Sequence, residues 1–187
     1  MQAQTLTTKL MAKIRGLLTA LIILIACTQS SHAQSMSTFS LSSSAPDIHI
    51  ETVNGEKLSL LPFFEKNRIV LLFIPADYET EGNGYLKHLS QEEPNLTKRD
   101  LKILVVAAAE SPLQKESFGS LITVVSKCDP MPTSMSPNSD TGPLFILIDK
   151  DRSITLREQK FVSEKALFAT IDATPMRRSE IKTKTAR

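Results

Sequence analysis

A single α/β domain built on a mixed, largely buried sheet is the fold the sequence predicts, and three observations carry it. Arg68 to Ile74 (RIVLLFI), Leu101 to Ala107 (LKILVVA) and Leu144 to Ile148 (LFILI) are short apolar runs without the polar alternation of a strand that has one wet face. Runs of that length between turn residues read as strands covered on both sides. Stretches of helical spacing lie between and after them, in Tyr85, Leu86 and Leu89 and again in Leu167, Phe168 and Ile171. At the front, Asn54-Gly55 marks a hairpin, because both residues tolerate positive φ.

The folded part opens at Ala45-Pro46-Asp47. Ile48, Ile50 and Thr52 alternate with His49, Glu51 and Val53, and Lys57 to Leu60 returns as the second strand of the hairpin. His49 then points to solvent. A metal role for it is not expected, since no cysteine or acidic motif has zinc spacing around it or His88. Leu61 to Lys66 is a connecting turn or short helix. The strand at 68–74 ends at Pro75-Ala76-Asp77-Tyr78, the carboxyl edge at which open α/β sheets place ligands and chemistry.

Residues 79–84 (ETEGNG) are expected to form a mobile loop, followed by a helix from Tyr85 to Glu93 that Pro94 ends or kinks. After the strand at 101–107, Pro112 to Phe118 reads as a short helix with proline in its first turn. Leu121 to Val125 is a β-rich run. Lys127 to Pro143, dense in Pro, Ser, Asp and Met, is expected to be a long irregular loop. Beyond the Asp149–Ser153 turn, Ile154 to Phe161 forms a last, antiparallel strand. Ser163 caps the final helix, with Val162 and Leu167 as its hydrophobic staple, and the helix stops ahead of Thr174-Pro175.

The first thirty-odd residues read as a leader. Lys9, Lys13 and Arg15 form a basic start, and Gly16 to Ala26 is an apolar or small run of secretory length, too short to span a bilayer stably. Two exits compete: cleavage after Ser31-His32-Ala33, before Gln34, or the lipobox-like Leu24-Ile25-Ala26-Cys27, in which Cys27 is lipid-modified. The expected organisation is a leader over 1–33 (or 1–26), a flexible spacer over 34–44, a domain over 45–176 and a basic tail over 177–187 read as solvated and disordered. The protein is thus expected outside the cytoplasm, meeting membrane only through a lipid on Cys27.

The formal charge of +2 misleads, because the first 35 residues hold three cations and no acid. The remainder carries 19 basic and 20 acidic groups. Such a body gives little electrostatic basis for nucleic-acid binding. With Cys27 removed or modified, Cys128 is the one thiol left, so no intramolecular disulfide is available.

The opening APDIHIETVNGEKLSL followed by RIVLLFIP, and the later GPLFILIDKD, resemble peroxiredoxins and membrane-anchored thioredoxins. The closing LFATIDATPMRRSEI resembles a domain family of unknown function, sometimes called P-DUDES, that animal equarin and sushi-repeat secreted proteins share. Leu167, Phe168, Ile171, Asp172, Pro175, Met176, Arg177 and Glu180 match its motif. The resemblance implies a thioredoxin-like (peroxiredoxin-like) fold, a central mixed sheet flanked by helices behind a β-hairpin, with no established activity. It also implies that Pro143 fills the position of the cis-proline packed against a redox site, facing Pro75–Tyr78. Arg152 stands where that family usually has glycine.

The chemistry such a fold would host lacks its thiol: Pro75 to Gly84 contains no cysteine. Asp77 is the polar residue best placed there, as a helix cap or an acid. Asp77, Tyr78, Pro143, Asp172 and Arg177 are the candidate binding residues, with Asp172, Arg177 and Glu180 forming one constellation with Asp77 or Tyr78. No catalytic residue, metal or cofactor is assigned. The reading is a binding or scaffold module whose partner is an envelope protein or small ligand; the rival is a thiol oxidoreductase using Cys128, with Lys127 lowering its pKa.

Overall fold

The computed structural model describes residues 44–108, 110–129 and 142–185. The leader, Cys27, most of the spacer and most of the 127–143 segment lie outside the described residues. In chain order the elements are β1 (His49–Thr52), β2 (Lys57–Ser59), α1 (Leu61–Phe64), β3 (Arg68–Ile74), a 3-10 turn (Ala76–Tyr78), α2 (Glu79–Gln91), α3 (Glu93–Lys98), β4 (Leu101–Ala107), a 3-10 turn (Pro112–Lys115), β5 (Ile122–Asp129), β6 (Leu144–Ile148), β7 (Ile154–Glu158), α4 (Glu164–Ala173) and α5 (Pro175–Thr185).

The strands form one sheet in the order β2-β1-β5-β4-β3-β6-β7. β3, β4 and β5 run parallel, and the hairpin at one end and β6-β7 at the other are antiparallel. The sheet is mixed, as the apolar runs predict. Every residue of β3 is buried. Val70, Leu72 and Ile74 join a core with Leu86, Leu89, Leu96, Leu167 and Ile171 of the helices. Ile69, Leu71 and Phe73 face the other way, into a second core with Ile48, Ile50, Leu60 and Phe64. Period-2 side chains therefore fill both faces at once, which is why the run shows no alternation.

Local signals that need no distant partner read correctly. The hairpin closes at Gly55 with φ +81°. Ser163 Oγ accepts the Ala166 N–H at 3.3 Å, and the helix leaves at an extended Thr174 (ψ 145°). His49 is exposed on β1.

Four expectations are overturned. Residues 79–84 are not a loop but the first turns of α2, with Glu79 and Glu81 at its positive end. Gly82 suits this: a Cβ there would stand 2.9 Å from Ile74 Cδ1, so a larger residue would force the Ile74 side chain to shift or the helix to stand further from β3. Cys128 is not in an irregular loop, because β5 continues to Asp129 and pairs Cys128 with Ile50 of β1. β7 ends at Glu158, short of Phe161. The tail after Met176 is not disordered: Pro175 starts α5, which runs to Thr185. Thr174 links the two helices, its Oγ1 accepting the Arg177 N–H at 3.3 Å. Proline at the first helical position gives up a donor that has no helical partner anyway.

Arg152 takes the left-handed conformation (φ +69°) at the place where the resemblance expects glycine. Its guanidinium donates to the Ala45 carbonyl through Nε at 3.0 Å and Nη2 at 2.6 Å. Those charge-assisted bonds offset a backbone cost of about 1 kcal/mol.

Candidate functional site

The carboxyl end of β3 is the place the fold offers for a site. The chain leaves it through Pro75 into the 3-10 turn, with Asp77 and Tyr78 exposed. Opposite stands the start of β6, where Gly142 and Pro143 are buried. The Tyr78 ring lies against Gly142: a Cβ on that glycine would come 3.2 Å from Tyr78 Cζ and 3.3 Å from its hydroxyl. Gly142 also has φ +87°, a conformation that L side chains rarely adopt. The structure thus sets the Tyr78 ring beside Gly142, the residue directly ahead of Pro143. Asp77 caps nothing, since Tyr78 takes the N-cap position of α2 and no side chain bonds there.

Asp172 and Arg177 do not join this group. They gather at the opposite, amino end of β3, about 20 Å along the strand at the usual rise per residue. The anchor there is Arg68, fully buried at the head of an apolar strand. Its Nε stands 2.9 Å from Asp149 Oδ1, an ion pair off the hydrogen-bond axis. Its Nη1 and Nη2 donate to the two oxygens of Glu180 at 3.2 and 3.1 Å, and Nη1 also reaches the Arg99 carbonyl. Glu180 further accepts from Lys150 at 3.0 Å and Arg177 at 3.1 Å. Asp172 is held by Arg99 through Nε at 3.1 Å and pairs with Arg177 at 3.5 Å, while Lys150 closes the circle on Asp100. Asp172 therefore bonds guanidinium groups rather than the local backbone.

Four cations and four carboxylates balance. Arg177 and Glu180 project from one face of α5, three residues apart, and clasp that helix to the sheet. Burial on its own would raise the Glu180 carboxyl, but the hydrogen bonds from Arg68, Lys150 and Arg177 outweigh it and bring it down to about 2 from 4.5. The sequence reading missed Arg68, Arg99, Asp100, Asp149 and Lys150. One signal was present: a charged residue opening a fully apolar strand needs a buried partner.

Cys128 is buried among Ile50, Val125 and Ile48 in the second core. Burial first, then the Asp129 carboxylate, pushes its thiol up to about 12 from 9.0. Lys127, expected to lower it, is engaged with Asp129 instead. The larger hollows lie elsewhere. One of about 720 Å³ runs beside α5 past Met176, Ser179 and Glu180, and one of about 430 Å³ lies over His49, Glu51 and Lys127. Among the described residues no three His, Cys, Asp or Glu side chains group closely enough to hold a metal ion.

A family model described as a domain of unknown function, DUF4174, matches residues 59–180, a stretch that holds every member of the charged clasp. No curated protein matches the chain. Among solved structures, the yeast mitochondrial 1-Cys peroxiredoxin aligns with a TM-score of 0.53 at 17% identity, covering 74% of this chain and 77% of that one. Peroxidoxin BcpB from Mycobacterium tuberculosis gives 0.52 at 14%, over 70% and 95% of the two chains. The 2-Cys peroxiredoxin of Plasmodium vivax gives 0.51 at 19%, over 73% and 81%. At such identities the likeness establishes a thioredoxin-like α/β fold and nothing about activity.

Proposed function

The chain belongs to the DUF4174 family, and we propose that it is a binding or scaffold module of the cell envelope whose thioredoxin-like domain carries no working redox thiol. The observation that supports this most is Cys128, a protonated thiol packed inside β5 rather than a thiolate at the end of β3. Peroxide reduction and disulfide exchange both begin with attack by an accessible thiolate. The stretch from Pro75 to Gly84, where the fold would present one, has none. Asp77 and Tyr78, both exposed beside the buried Gly142-Pro143 step, are the surface on which a partner or small ligand would rest. The motif ending in Glu180 supports kinship with the wider P-DUDES group, and in this chain its charged members hold the fold rather than a ligand.

The purified domain is expected to show no peroxide or disulfide turnover above background when supplied with glutathione or thioredoxin systems, the reductants named for the yeast 1-Cys protein. Turnover that disappears in Cys128→Ser would overturn the reading in favour of a thiol oxidoreductase.

Envelope location is part of the same proposal and rests on the basic Lys9, Lys13 and Arg15 ahead of the apolar run. In a bacterial host, the mature protein is expected either to begin at Gln34 or to carry a lipid on Cys27 and leave the membrane in Cys27→Ala. An unprocessed chain recovered from the cytoplasm would count against export.

A further inference from the structure

Arg177 is the one buried residue among the eleven of α5. Ile181 is 43% exposed, Pro175 is exposed and Met176 is half-buried. The helix therefore brings little apolar surface into either core, and a free helix of that length is marginal in water. Charge contacts keep it docked, and they fit imperfectly. Arg177 Nε is buried 3.5 Å from Asp172 Oδ1, with no hydrogen-bond partner among the described residues, which weakens the docking. The preceding helix is held differently. α4 has Leu167 and Ile171 in the core, and the extended Thr174 between the two helices is a joint about which α5 can swing.

The groups beneath α5 are fixed from the body of the domain. Arg68 is held by Asp149 at 2.9 Å and by the Arg99 carbonyl at 3.0 Å, and Lys150 by Asp100 at 2.8 Å. With those contacts made, Nη1 and Nη2 of Arg68 and Nζ of Lys150 still converge on one point, the Glu180 carboxylate. A planar guanidinium fork matches a carboxylate bidentately, and one that is already in place loses little to ordering. The hollow of about 720 Å³ beside α5 has Glu180 in its wall, and that side chain is 20% exposed, so the point is reached from solvent.

We propose that α5 is a detachable strap over a carboxylate-binding socket, filled in the closed form by Glu180 and taken, when the strap lifts, by an acidic side chain of a partner protein. Glu180 is itself such a side chain presented from a helix, so the closed form displays what the socket accepts. Tethering gives Glu180 an effective concentration that keeps the socket closed until a partner adds contacts of its own. This second site lies at the opposite end of β3 from Asp77 and Tyr78. It asks nothing of the missing thiol, so a socket that bound nothing would leave that first surface and the buried Cys128 as they are.

Glu180→Ala empties the socket, and acetate replaces the atoms removed. In the full-length variant, acetate is expected to raise the urea midpoint saturably, while chloride at equal ionic strength and the neutral isostere acetamide give no such rise. Hydrogen exchange in the unaltered protein supplies a readout that needs no variant to fold. Amides of α5 are expected to exchange about tenfold or more faster than those of β3. At the acetate concentration that half-saturates Glu180→Ala, opening of the strap should rise about twofold and α5 exchange with it, while β3 is unchanged. Should Glu180→Ala not fold, α5 exchange in the unaltered protein still rises with acetate and not with chloride. Amides of α5 as slow as those of β3 would overturn the proposal. So would acetate that acts no differently from chloride or acetamide.

Discussion

Arg68→Met should lower the free energy of unfolding by about 4 kcal/mol, the cost of leaving buried carboxylates without their cation. Arg68 is wholly inside, and its loss strips Asp149, itself 3% exposed, of the guanidinium at 2.9 Å. Urea denaturation reads the change as a lower midpoint. The mechanism makes a second demand: adding Asp149→Asn should recover part of the loss, because the remaining penalty is an uncompensated charge rather than a missing contact. An Arg68→Met protein as stable as the parent would show that the clasp is decorative.

Glu180 gives the same clasp a pH signature. Its carboxyl is depressed in the folded state, to about 2 from 4.5. A depressed acid contributes stability that is present above the unfolded value and is lost as pH falls through the folded one. Stability is therefore expected to decline between about pH 4.5 and 2. Glu180→Gln should flatten that decline and cost about 2 kcal/mol at neutral pH, less than a fully buried pair because part of the side chain is screened by water.

The largest kinetic effect is expected at Cys128. Raising its thiol from 9.0 to about 12 leaves about a thousandfold less thiolate at neutral pH. Burial and the smaller thiolate fraction together should make a water-soluble disulfide reagent label the native protein at least about tenfold more slowly than the urea-unfolded chain. The same burial predicts an alkaline limb. A group raised in the folded state contributes stability that is complete below the unfolded value and is lost as pH rises towards the folded one, here from about 9 to 12. Tyr85, whose hydroxyl donates to the Val162 carbonyl and is likewise raised by burial, weakens the fold over the upper part of that range. Cys128→Ala should remove the cysteine share and leave the tyrosine share. Native labelling at the unfolded rate would mean that β5 opens readily, and the thiol would return as a candidate for chemistry.

How much of this protein could be read without coordinates follows from the range of the forces involved. Asn54-Gly55, Ser163, Thr174-Pro175 and the three apolar runs act within a few residues, through backbone φ, a cap, a ring that excludes helix, or burial on both faces. Those determined the hairpin, the two ends of α4, the mixed sheet and the absence of a thiol after β3. The first turns of α2, the length of β5 and the whole of α5 depend on partners far away in the chain. Gly82 looks like a loop residue until Ile74 lies beneath it, and so does Cys128 until Ile50 pairs beside it. Arg177 and Glu180 read as the start of a charged tail because Glu180 is held by Arg68, more than a hundred positions earlier, and Arg177 by Glu180 and Asp172. Charge on its own says only that a side chain needs water or a counter-charge, and only the tertiary structure decided which of the two it found.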